Sequence, residues 1–147
     1  MAKTRIMVFG TFDLIHEGHK NMFAQARALA ANPYLIVSVA RDCNVLRIKH
    51  AFPLRKERQR LRDVVNTPLV DKAVLGAINN HIPHIVKERP VIIAFGYDQT
   101  NYVNGLKADL ANYGLPVRII RLKAYMPHIH KSSIIKKTLV QQSLCKN

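Results

Sequence analysis

The sequence is short of acidic residues, cysteines and long apolar runs, and each shortage narrows what the chain can be. Only 9 Asp and Glu stand against 23 Lys and Arg, a formal net charge of +14 over 147 residues, which favours anionic partners. Two cysteines, Cys43 and Cys145, lie about a hundred residues apart with no CxxC spacing. They form neither a disulfide framework nor a zinc knuckle, and free thiols are expected. The longest apolar runs, such as Val91 to Phe95 and Tyr34 to Val37, fall far short of the roughly 20 residues that span a bilayer, so no association through a membrane span is expected. The opening Met-Ala-Lys-Thr-Arg runs straight into an apolar, strand-like segment without the apolar stretch and cleavage site of a signal peptide. An intracellular, cytoplasmic protein is expected. No internal repeat or low-complexity tract is visible.

What is present suits one compact unit. Hydrophobic residues make up 48% and charged residues 22%, ordinary globular values, and the length fits a single domain over 1–147 with one core. The positive charge is unevenly placed. Residues 41–62 carry eight bases (Arg41, Arg47, Lys49, Arg55, Lys56, Arg58, Arg60, Arg62) against Asp42 and Glu57, and residues 118–137 carry six bases and no acid. Two cationic segments flanking a near-neutral middle suit a phosphate-rich small-molecule site, a nucleic-acid surface, or simply a solvated basic surface.

The apolar blocks alternate between two kinds. Arg5–Phe9, Tyr34–Ala40, Lys72–Leu75, Val91–Phe95 and Val117–Leu122 read as short buried strands. Between them, residues 19–31 place Met22, Ala26 and Leu29 on one helical face, stopped by Asn32-Pro33. Pro53 is a plausible start for a helix presenting Leu54, Leu61, Val64 and Val65. A short helix is expected near Ile82–Glu88, a further one with Leu106, Leu110 and Tyr113 on one face, and a closing one over Ser132–Gln142. Strands alternating with helices imply a mostly parallel α/β sheet covered on both faces, because parallel neighbours need crossover connections.

The chemistry concentrates where the first strand ends. Gly10-Thr11-Phe12-Asp13-Leu14-Ile15-His16-Glu17-Gly18-His19 leads from a strand into a helix. In an open α/β sheet ligands bind beyond the carboxyl ends of the strands, where a helix N-terminus offers free N–H groups to phosphate. Gly10 and Gly18 allow close backbone approach. His16 and His19, three apart, can turn both rings to one side of the helix start and donate to a shared anion. Asp13 is expected to support the loop, since a carboxylate beside a triphosphate would be repelled unless it held a cation. His81 and His84 read as solvent-exposed, His128 and His130 as sharing one face of an extended segment, and the arginines of 55–62 as mostly a solvated helix face.

Gly10 to His19 resembles the GTFDxxHxGH signature of the nucleotidyltransferase superfamily that includes glycerol-3-phosphate cytidylyltransferase. The segments Val39-Ala40-Arg41-Asp42, Gln59-Arg60-Leu61, Val70 to Gly76 and Phe95-Gly96-Tyr97-Asp98-Gln99 extend the resemblance over nearly the whole chain, toward the archaeal type of FAD synthase. It implies a Rossmann-like, doubly wound five-stranded parallel sheet in the order 3-2-1-4-5, with the nucleotide between the ends of strands one and four. By that resemblance His16 and His19 are the catalytic residues, holding the triphosphate and transition state. Thr11, Phe12, Glu17, Gly18, Asp98 and Tyr125 join them in binding nucleotide. Lys49 from the first basic segment, and Lys131, Ser132 and Ser133 at the start of the last helix, are expected to add phosphate contacts. Arg60 is singled out from its neighbours because it matches the family pattern. Where cytidylyltransferases of this kind carry an Arg-Thr…Ile-Ser-Thr-Ser stretch, this chain reads Met126 to Ser133, keeping the serines and losing the arginine, with Lys131 as the substitute.

The implied reaction transfers AMP from ATP to FMN, giving FAD and pyrophosphate, with a divalent cation, Mg²⁺ by expectation, offsetting charge and no metal held by the protein alone. The alternative is a cytidylyltransferase activating a small phosphoalcohol such as glycerol 3-phosphate with CTP. Acceptor size separates them, since an isoalloxazine needs a large apolar wall. Neither an RNP-like aromatic pair nor a helix-turn-helix supports a nucleic-acid partner. A homodimer is expected from the family and from the small sheet.

Overall fold

The computed structural model describes residues 2–100 and 103–125. Five strands, β1 (Thr4–Gly10), β2 (Pro33–Val39), β3 (Lys72–Leu75), β4 (Ile92–Phe95) and β5 (Arg118–Arg121), alternate with five helices: α1 (Glu17–Arg27), α2 (Asp42–Lys49), α3 (Glu57–Val65), α4 (His81–Glu88) and α5 (Leu106–Asn112). Every strand pair is parallel and the order is β3-β2-β1-β4-β5, the Rossmann-like arrangement expected. The chain winds outward from β1 through β2 to β3, then crosses to the other side of β1 for β4 and β5. The crossing makes the carboxyl ends of β1 and β4 diverge into a switch-point crevice.

Period-two alternation sends the strand side chains into two cores. Ile6, Val8, Leu35 and Val37 meet Phe23 and Ala26 of α1 and Val64 of α3 on one face. Met7, Ile36 and Ile93 meet Ile85 of α4 and Leu106 and Leu110 of α5 on the other. Burying both faces accounts for the near-continuous apolar runs of β1, β2 and β4.

Several expected boundaries shift, each for a long-range reason. Pro53 does not start a helix: Asp13 accepts the backbone N–H groups of Leu54 (2.7 Å) and Arg55 (2.8 Å), tying that stretch to the first loop. The helix begins instead at Glu57, where Gln59 accepts the Lys56 backbone N–H at 3.2 Å. Consequently Leu54 and Val65 are more than half exposed while Val64 is fully buried. Tyr113 leaves the face shared by Leu106 and Leu110 and is 61% exposed, because α5 stops at Asn112 before a left-handed Gly114. The first helix begins two residues earlier than expected and ends at Arg27, although Leu29 and Ala30 still pack on the core. The sequence reading missed α2 altogether. The expected closing helix, Cys145, His128, His130, Lys131, Ser132 and Ser133 lie outside the described residues.

Candidate active site

The carboxyl ends of the strands open into a cleft of about 480 Å³, within the range of small-molecule sites. Its floor is the strand ends: Phe9, Gly10, Ser38, Phe95 and Gly96. One half lies over β1 and β4, bounded by Thr11, Phe12, His16, Gly18, His19, Tyr97, Asp98 and Tyr125. The other half lies toward β2 and β3, bounded by Asn44, Val45, Ile48 and Lys49 of α2 together with Gly76, Ala77 and His81.

The histidine pair forms at the start of α1. His16 is the N-cap, and its Nδ1 accepts the Gly18 N–H at 3.0 Å; the His16 backbone N–H reaches His19 Nδ1 at 3.4 Å. This is a capping box built from imidazoles rather than from Ser and Glu. Because each Nδ1 accepts, the neutral ring carries its hydrogen on Nε2. The rings stack with centroids 3.9 Å apart and planes 28° from parallel. Burial, reinforced by the neighbouring His16, pulls His19 from its usual 6.5 down to about 3. His19 is therefore a neutral donor at physiological pH.

Phe12 supports this pair from beneath. Its ring packs edge-on against His19 at 5.2 Å and tilted against Phe23 at 5.4 Å. Its backbone adopts the left-handed region, φ +53°, which costs a bulky residue on the order of 1–2 kcal/mol. Gly10 makes room for the ring: a Cβ there would lie 2.6 Å from Phe12 Cζ. The loop's other supports are Asp13, buried and bonded to Leu54 and Arg55, and Arg60. Arg60, the exception expected among the arginines of 55–62, is fully buried. It donates to the Thr11 carbonyl (2.8 Å), the Arg55 carbonyl (2.9 Å) and Asp42 Oδ1 (2.7 Å), so one guanidinium joins the first loop to the start of α2.

Of the residues expected at the site, Thr11, Phe12, His16, Gly18, His19, Lys49, Asp98 and Tyr125 all border the cleft. Glu17 falls outside: its side chain is exposed and pairs with Lys20 at 3.3 Å. His81 and His84 are half-buried rather than exposed. His81 borders the cleft, and His84 Nε2 lies 2.8 Å from the Ser38 hydroxyl. Burial lowers the pKa of both. Sequence reasoning missed Ser38, Asn44 and Ala77 as well. Asn44 donates to the Ala77 carbonyl at 2.7 Å, stitching α2 to the end of β3. The one available signal was position, at or just beyond the carboxyl ends of the predicted strands.

Among the described residues no cluster of three His, Cys, Asp or Glu side chains could hold a metal, and no helix is long and apolar enough to cross a membrane.

Known proteins resemble this arrangement along most of the chain. A family model described as cytidylyltransferase-like matches residues 7–138. The FAD synthase of Korarchaeum cryptofilum (strain OPF8) is 42% identical over 136 residues, spanning 92% of this chain and 91% of that protein. The FAD synthase of Methanosarcina barkeri (strain Fusaro / DSM 804) is 42% identical over 138 residues, spanning 92% and 96%. Among solved structures, the lipopolysaccharide core biosynthesis protein from Thermoplasma volcanium GSS1 superposes with a TM-score of 0.77 at 31% identity, over 84% of this chain and 99% of that one. With its histidine-capped loop at the switch point and this similarity over nine-tenths of its length, the chain belongs to the cytidylyltransferase-like family.

Proposed function

We propose that this chain is an FAD synthase, transferring AMP from ATP to the terminal phosphate of FMN with release of pyrophosphate. The observation that carries the reading is the cleft's division into two halves of different chemistry. One half offers the α1 N-terminus and the His16/His19 pair to a triphosphate. The other offers Ala40, Val45, Ile48 and Ala77 as an apolar wall, with Ser38, Asn44 and His81 at its edge. A tricyclic isoalloxazine with one polar edge matches that second half. Glycerol phosphate would leave the apolar wall wet. The FAD synthases at 42% identity support the same acceptor, and the phosphoalcohol alternative is not favoured.

In this reading an FMN phosphate oxygen attacks the α-phosphorus of ATP in line. A new P–O bond forms as the bond to the β-phosphate bridging oxygen breaks, and the electron pair leaves with pyrophosphate. The Nε2–H groups of His16 and His19 and the positive dipole end of α1 stabilise the charge that moves onto the leaving group. Because His19 stays neutral at physiological pH, it contributes a directed hydrogen bond rather than a full charge. No covalent enzyme intermediate is needed. ATP enters as its Mg²⁺ complex, the cation carried on phosphate oxygens and water, as Mg²⁺ commonly is. Asp98 at the cleft edge is the expected neighbour of the cation, and Lys49, close enough for its charge to act on His19, that of the phosphates.

Incubating the purified chain with Mg²⁺, ATP and FMN and identifying the product by chromatography tests the reading, with CTP and glycerol 3-phosphate as competing substrates. FAD from ATP and FMN is the expected result. Turnover of CTP with glycerol 3-phosphate alone would assign the site to phosphoalcohol activation.

A further inference from the structure

The backbone pairing of β1 with β4 runs from Ile6–Ile92 to Val8–Ala94. Beyond the last pair, the Phe9 and Phe95 rings stack with centroids 5.9 Å apart, and the Gln99 side chain adds a hydrogen-bonded connection. The Gln99 amide donates from Nε2 to the Phe9 carbonyl at 2.6 Å, and its Oε1 accepts the Gly96 N–H at 2.7 Å. The same residue closes its own loop, its backbone N–H reaching the Gly96 carbonyl at 3.1 Å. Arg121, from β5, braces that loop by donating to the carbonyls of Gly96 (2.9 Å) and Gln99 (2.6 Å). On its other side the end of β1 is fixed by the Ala40 N–H on the Gly10 carbonyl at 2.9 Å.

An amide is the group this position requires. It must donate to a carbonyl and accept from an N–H at once, in opposite directions, which an ionised carboxylate cannot do. The pin stands where the two strands diverge, at the switch point. Immediately after Phe9 comes the Gly10-Thr11-Phe12 turn; between Gly96 and Gln99 sit Tyr97 and Asp98. All of these border the β1/β4 half of the cleft, whereas the acceptor wall belongs to α2 and the β3 end.

We infer that Gln99 is a positioning residue for the nucleotide, fixing the width of the β1/β4 crevice and the placement of the Thr11 and Asp98 edges without touching the acceptor. The inference deepens the proposed function and rests on its nucleotide half. Gln99→Glu keeps the acceptor for Gly96 and replaces the donor facing Phe9 with an oxygen; Gln99→Met removes both bonds at similar length. Arg121→Met loosens the same loop from its far side and provides an independent variant should a Gln99 variant fold poorly.

The experiment measures Kd for Mg²⁺-ATP and Mg²⁺-CTP by calorimetry, KM for each substrate, and the melting temperature. The expected result is a nucleotide Kd and ATP KM raised about tenfold in both Gln99 variants and less in Arg121→Met, with the FMN KM within about twofold of wild type. Nucleotide affinity unchanged in folded variants, or equal rises in the ATP and FMN KM values, would overturn the inference. So would a wild-type chain that binds neither nucleotide. Binding is read without any acceptor, so a wild type that binds nucleotide but makes no FAD would refute the flavin reading while leaving the Gln99 test intact.

Discussion

His16 caps the helix on which His19 sits, and His19 accepts the backbone N–H of His16 in return, so the two rings are held 3.9 Å apart by the same bonds that start α1. Structure and proposed chemistry therefore share one set of contacts. Replacing His16 with Ala removes a cap, at a cost of about 1 kcal/mol, and a transition-state donor, for which a loss of about 10²–10³ in kcat is expected. His19→Ala should show a similar kcat loss. Thermal melts alongside initial rates separate the two effects, since the stability change alone is too small to empty the folded state.

Lowering the pH should destabilise the protein in a defined window. Unfolded, His19 takes up a proton near 6.5; folded, it resists until about 3 because burial and His16 disfavour the charged ring. The unfolded state thus binds more protons between those values, and stability falls as pH drops, by up to about 1.4 kcal/mol per pH unit at full effect. His81 and His84, also lowered by burial, act in the same direction. Urea denaturation at pH 7.5, 6, 5 and 4 should show a falling midpoint, and His19→Gln should flatten part of the slope.

Arg60 offers a test of how the loop is held. Arg60→Ala would leave the Thr11 carbonyl without this donor and Asp42 without its buried partner, a loss of about 3–5 kcal/mol. Arg60→Lys keeps the charge but not the fork and should recover only part of that. Denaturant midpoints check both variants.

Strand identities were legible because β1, β2 and β4 are buried on both faces, and the phosphate loop because Gly10 to His19 is a dense local motif; the strand order came from the family resemblance. Helix α2 was not legible: its first turn, Asp42 to Asn44, has no apolar residue, Val45, Leu46 and Ile48 fill only one turn, and the helix is held by Asn44 on Ala77 and by Asp42 on Arg60. The start of α3 was misread because Asp13, some forty residues earlier, fixes Leu54 and Arg55. Such bonds between distant segments leave no periodicity. His84 looked like a surface residue beside Pro83, yet its partner Ser38 lies on β2.

Enlarging the acceptor wall should separate the two halves of the cleft. Ala77→Leu adds bulk where the isoalloxazine is placed and should raise the FMN KM at least tenfold, leaving Mg²⁺-ATP affinity within about twofold. Steady-state kinetics with each substrate varied in turn, together with nucleotide calorimetry, decide it.

Metal dependence should follow the nucleotide rather than the fold. Chelation with EDTA is expected to abolish turnover, with recovery on adding Mg²⁺, and to leave the melting temperature of the ligand-free protein unchanged. A drop in melting temperature on chelation would point to a structural metal.

The most direct test of the whole account is product identification after incubating wild type and His16→Ala with Mg²⁺, ATP and FMN, measuring FAD and pyrophosphate together. Both products are expected in equal amounts from wild type and about a hundredfold less from the variant. Pyrophosphate without FAD, or FAD formed equally by the variant, would contradict it.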